Sequence, residues 1–92
     1  MLILIVLSLA NLDSVIGIRN EELLKEFGHR LRGARNDRGI SQEKLANLCG
    51  ITISQVSRIE RGEVNTTLST LYILAKSLDI ELSKLLDFQS EF

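Results

Sequence analysis

Residues 52–62, T-I-S-Q-V-S-R-I-E-R-G, hold the side chains whose types and spacing could do chemistry. Wound as a helix, Ile53, Ser54, Ser57, Arg58 and Arg61 share one face, and Val56 and Ile59 share the other. The first face is short, polar and basic: hydroxyls, forked guanidinium donors and one branched apolar group. Such a set suits the base edges of a DNA major groove. An arginine there can grip guanine O6 and N7, and an apolar side chain can meet a thymine methyl. Little else offers reactive chemistry. One cysteine, Cys49, and one histidine, His29, cannot build a zinc site, and a single cysteine cannot close an intrachain disulfide. His29 is accompanied by no nucleophile or carboxylate constellation. The sequence spells neither a glycine-rich phosphate loop after a strand nor a pair of catalytic carboxylates. The expectation is a binding protein, not an enzyme, with no catalytic residue, metal, cofactor or small-molecule substrate.

The elements that must position this face are written into the flanking residues. Ser41 is a natural N-cap for a helix from Gln42 to Cys49, and Gly50 follows where a left-handed backbone ends it. Thr52 then opens the second helix, and Thr52-x-x-Gln55 has the spacing of a capping box. Leu45, Ala46 and Cys49 fall on one face of the first helix, with Ala46 small at the point where the two helices would cross.

This stretch resembles the helix-turn-helix of the phage-repressor (Cro/cI) family, also called the xenobiotic-response-element family. Gln42, Ala46, Gly50, Ile51, Val56, Ile59 and the run from Ser57 to Gly62 sit where that family places them. The resemblance extends from about Phe27 to Phe88, roughly two thirds of the chain. It implies an all-α fold, a compact five-helix lambda-repressor-like DNA-binding domain. It also implies base contacts from Thr52, Ile53, Ser54, Ser57 and Arg58, and phosphate contacts from Gln42, Arg61, Asn65 and Thr66. Arg35 and Glu60 match two family positions that pair as ions and tie the first helix to the recognition helix. Family members act as two-fold dimers on pseudo-palindromes. Leu82, Leu85, Leu86 and Phe88, with the N-terminal arm, are the candidate interface.

The rest of the chain fits around that motif. Asn20 can cap a helix running to about Asp37, whose buried stripe is Leu24, Phe27, Leu31 and Ala34. Arg38-Gly39-Ile40 is its stop. Residues 63–66 read as a loop and Thr67 as the next N-cap. Leu68, Leu71, Tyr72, Leu74, Ala75 and Leu78 then form a broad apolar face. A last short helix, Leu82 to Leu86, ends near Phe88. Ninety-two residues allow one small domain. Its expected divisions are an apolar arm at 1–19, the helix-turn-helix domain at 20–88 and a frayed end at 89–92. The arm opens M-L-I-L-I-V-L-S-L-A, with no basic residue before the apolar run and too few apolar residues to span a bilayer, which takes about 20. It reads as an ordered arm, as a tail exposed only outside the natural complex, or as the product of a start codon set too far upstream; membrane attachment is not expected.

Net charge is −1, which by itself argues mildly against nucleic acid. The distribution argues the other way: residues 28–62 carry seven basic side chains against three acidic ones, with negative segments on either side. The reading is a cytoplasmic, sequence-specific regulator of transcription that binds double-stranded DNA as a homodimer on a pseudo-palindromic operator. Its alternatives are an antitoxin that binds a toxin protein and autoregulates through DNA, and a restriction–modification controller protein.

Overall fold

Five helices follow one another through residues 18–89 and 92, the part of the chain that the computed structural model describes: α1 (Glu21–Asp37), α2 (Gln42–Cys49), α3 (Ile53–Glu60), α4 (Leu68–Ser77) and α5 (Leu82–Leu85). Of the arm expected at 1–19, only Ile18 and Arg19 are among the described residues; of the end expected to fray, residues 90 and 91 lie outside them. No described helix is long and apolar enough to cross a membrane.

The four longer helices start where a side chain can accept an orphan backbone N–H. Asn20, Ser41, Thr52 and Thr67 accept from the amides of Leu23, Lys44, Gln55 and Thr70. Gly50, at φ 70° and ψ 29°, turns the chain from α2 toward α3 in a backbone region open chiefly to glycine. The single turn of α5 has no side-chain cap and is held from outside. Arg30 of α1 donates from Nε to the Leu85 carbonyl at 2.9 Å and from Nη2 to the Lys84 carbonyl at 2.5 Å. Its guanidinium also lies 5.7 Å from the centre of the Phe88 ring. Phe88 in turn meets the Phe92 ring edge-on at 5.4 Å.

α1 packs on α3 and α5, α2 on α3 and α4, and α4 on α5. Their shared core is Phe27, Leu31, Leu45, Ala46, Val56, Ile59, Leu74, Ala75, Leu78 and Leu85. Two expectations are corrected here. Leu85 is 1% exposed, so its side chain belongs to the core of one chain and cannot serve an interface. The apolar face of α4 is also narrower than the sequence suggests. Leu74, Ala75 and Leu78 are buried, but Leu68 is 71% and Tyr72 53% exposed, because α2 and α5 cover only one side of the helix.

The tightest crossing is between α1 and α3, at Gly28. A Cβ there would stand 2.7 Å from the Ile59 carbonyl oxygen and nearer still to that of Glu60. At Gly62, just past α3, a Cβ would stand 2.8 Å from the Cα of Lys25. Two glycines thus let the backbone of α1 lie directly against the end of the second helix of the motif.

Candidate nucleic-acid interface

α3 is eight residues long. At 1.5 Å per residue it spans about 12 Å, comparable with the width of a DNA major groove. Its inner face, Val56 and Ile59, is sunk in the core, and its outer face is open. At the N-terminus the capping box is complete: Thr52 Oγ1 accepts from the Gln55 amide at 3.1 Å, and Gln55 Oε1 accepts from the Thr52 amide at 2.9 Å. The Thr52 hydroxyl also lies 3.2 Å from Gln55 Oε1, so it is committed to the cap and leaves its methyl group to face outward chemistry.

The remaining outer residues differ in how free they are. Ile53 is 51% exposed. Ser54 and Arg58 are exposed and make no side-chain hydrogen bond or ion pair among the described residues. Arg61, by contrast, donates from Nη1 to the Ser57 hydroxyl and from Nε to Glu63 Oε2 at 2.5 Å. The Glu63 hydrogen bond holds the Arg61 guanidinium above its ordinary pKa, and the Arg61 hydrogen bond holds the Glu63 carboxyl below its own. Asn65 donates from Nδ2 to the Ile18 carbonyl at 2.9 Å, and Arg19 reaches the Glu63 carbonyl at 3.1 Å. Thr66 donates to the Val64 carbonyl at 3.4 Å. The loop after α3 is therefore tied to the chain entering α1.

Beneath the outer face lies a buried carboxylate. Glu60, whose side chain is 0% exposed, accepts on Oε2 from Arg35 Nε at 2.6 Å. On Oε1 it accepts from Arg35 Nη2 at 3.0 Å, Gln42 Nε2 at 3.1 Å and Arg32 Nε at 3.3 Å. Arg35 adds a bond from Nη1 to the Ile40 carbonyl at 2.9 Å. Its bidentate fork thus fixes the angle between α1 and α3 while also pinning the turn into α2. Burial alone would raise the Glu60 carboxyl. The hydrogen bonds from Arg35, Gln42 and Arg32, with the charge of Arg35, outweigh it and hold the group below the usual carboxylate range.

The family resemblance paired Glu60 with Arg35 only; Arg32 and Gln42 are also there. Arg32 and Arg35 stand three apart on α1, the spacing that puts them on one side of the helix, and that signal was legible. Gln42, expected on phosphate, spends one amide N–H on Glu60 and keeps the other. Arg30 and Arg38 counted toward the basic concentration, yet both brace the fold: Arg38 donates to the Asp79 carbonyl at 2.7 Å, as Arg30 does to α5. Cys49 is half-buried, with Sγ 3.2 Å from the Ser77 hydroxyl. Among the described residues no group of three or more His, Cys, Asp or Glu side chains could hold a metal ion.

Comparison with known proteins agrees with this geometry. Residues 31–85 match the helix-turn-helix family HTH_3. The chain is 44% identical over 69 residues to control protein C.SmaI of Serratia marcescens, covering 75% of this chain and 79% of that one. It is 40% identical over 57 residues to the HTH-type transcriptional regulator PuuR of Escherichia coli (strain K12), covering 62% of this chain but only 31% of PuuR. Among solved structures, the restriction-modification controller protein C.AhdI from Aeromonas hydrophila superposes with a TM-score of 0.66 at 47% identity, covering 67% of this chain and 90% of that one. With the family match spanning the capped α2–α3 pair and the core that supports it, the chain belongs to the HTH_3 helix-turn-helix family.

Proposed function

We propose that the protein is a sequence-specific regulator of transcription that binds double-stranded DNA through α3. The observation that carries the reading is the contrast across that helix. Val56, Ile59 and Glu60 lock its inner side, while Ile53, Ser54 and Arg58 project outward with no side-chain hydrogen bond or ion pair among the described residues. A rigid helix with free outer side chains can enter a groove without first breaking its own contacts. Arg58 supplies the base-reading fork and Ile53 an apolar contact; Ser54, Ser57 and the Thr52 methyl line the same face. Arg61, Asn65, Thr66 and the second N–H of Gln42 meet phosphates, Arg61 by exchanging Glu63 for the DNA backbone. Such a protein works in the cytoplasm, by occupying an operator.

One recognition helix reads too few base pairs for useful specificity, so the protein acts as a two-fold dimer whose half-sites lie about 34 Å apart. The match along most of C.SmaI and C.AhdI favours a second, narrower reading: a control protein of a restriction–modification operon. Binding selection on randomised duplex tests both. The expected product is a pseudo-palindrome that also occurs upstream of the protein's own gene, beside genes for a nuclease and a methyltransferase. Arg58→Ala should cost about 1–3 kcal/mol at one base position and relax preference there. A selection that returns the parent's motif from Arg58→Ala removes Arg58 from base reading. A second protein that co-purifies tightly and masks α3 would move the reading to an antitoxin.

A further inference from the structure

We infer that Lys25, His29 and Arg32 on α1 form, together with Arg61, a second binding site for the DNA sugar–phosphate backbone, next to the C-terminal end of the recognition helix. The inference rests on the DNA-binding reading above and adds a surface to it. The three α1 residues stand at i, i+4 and i+7, so they share one side of the helix. That side is held flush with α3 by the two close approaches at Gly28 and Gly62, the second directly against Lys25. Between them lies an open basin of about 300 Å³ lined by Lys25, His29, Arg32, Glu60 and Arg61.

The basin's charge is decided by what has already been neutralised. Its one acidic lining residue, Glu60, has a wholly covered side chain saturated by Arg35, Gln42 and Arg32. Outward there remain the ammonium of Lys25, the imidazole of His29 and the two terminal nitrogens of Arg32, which spends only Nε on Glu60. Lys25 and His29 make no side-chain hydrogen bond or ion pair among the described residues. Arg61 is shared: it bonds Ser57 on the reading face and Glu63 beyond it, so basin and reading face form one continuous surface. Every free group in the basin donates, and a phosphodiester oxygen only accepts. The complement of this basin is therefore the DNA strand bordering the groove that α3 enters. This site also reconciles an overall charge of −1 with an anionic ligand, because it adds cations where Arg30 and Arg35 are spent within the fold.

The test is the salt dependence of binding to the selected duplex. Lys25→Gln/His29→Gln alters two exposed side chains that hold nothing else. It should keep the parent's base preference and melting temperature while lowering the slope of log K against log salt by about one unit. Trimming the duplex outside the half-sites should weaken the parent and leave the double variant unchanged, since the variant has already lost that contact. Should the double variant melt early, Lys25→Gln alone gives the same comparison. A variant with the parent's slope and the parent's loss on trimming overturns this site while leaving recognition by α3 intact. A parent that binds no duplex at any sequence overturns both.

Discussion

Arg58 and Arg61 lie three residues apart on the same exposed helix face, but they start from different states. Arg61 must give up Glu63 and Ser57 before it can serve DNA, an exposed pairing of small worth in water. Arg58 gives up solvent and only a through-space attraction to Glu63. The same distinction between committed and uncommitted side chains governs Glu60. Arg35→Ala would leave its carboxylate buried with only Gln42 and Arg32, costing about 3 kcal/mol in denaturant or thermal unfolding. Unchanged stability together with lost DNA binding would instead make Arg35 a phosphate ligand. Because the Glu60 carboxyl is held below its ordinary value of 4.5, its contribution is fully present above that value and lost as pH falls through the lower folded value. Glu60→Gln should therefore lower stability at neutral pH and flatten the acid limb of a stability–pH profile. An acid limb as steep as the parent's would assign acid unfolding to other carboxylates.

On α1, two glycines make opposite predictions. Gly28→Ala places a methyl group against two backbone carbonyls that cannot rotate away, so α1 and α3 must part, at a cost of about 1–3 kcal/mol. At Gly33 a Cβ would meet nothing within 4 Å. There Ala simply exchanges a poor helix former for the best one, a gain of roughly 0.8–1.0 kcal/mol. Thermal melting of the two variants should shift in opposite directions. Equal shifts would mean that the α1–α3 crossing has slack. The element most dependent on others is α5, one turn with no cap of its own, whose end is held by Arg30.

For the whole molecule, the decisive feature is apolar surface left uncovered. Leu68, Tyr72 and Ile73 of α4 are 71%, 53% and 39% exposed, and with Leu82 they line a shallow groove of about 420 Å³. Leu86 and Phe88, the other proposed interface residues, are only partly exposed and line a separate groove with Leu24, Phe27 and Leu71. A contiguous exposed apolar patch on a small domain favours association. For the two-fold dimer proposed above, the α4 face, with Leu82 at its edge, is the expected contact. Leu68→Glu/Tyr72→Glu should give a folded monomer by light scattering and bind a single half-site as the parent does, but lose the gain from a full palindrome. A dimer that persists in this variant would move the contact to Leu86, Phe88 or the arm.

Local chemistry explains why so much was legible from residues in order. Caps and turns are short-range devices, so Ser41, Thr52 and Thr67 set helix starts and Gly50 a helix end within a few residues of themselves, and the 3.6-residue repeat told the inner face of α3 from the outer. What the sequence by itself determined is therefore the helical fold and the motif that presents α3. Only the tertiary structure decided which like residues do unlike things. Arginines 30 and 35 turned inward to carbonyls and a carboxylate, while Arg32, Arg38, Arg58 and Arg61 stayed exposed, Arg38 and Arg61 with partners of their own. Leu85 entered the core while Leu68 and Tyr72 were left out. The reason is physical: whether a side chain is spent or free depends on what the rest of the chain brings within about 3 Å of it, and that distance is set by packing across dozens of residues rather than by spacing along one helix.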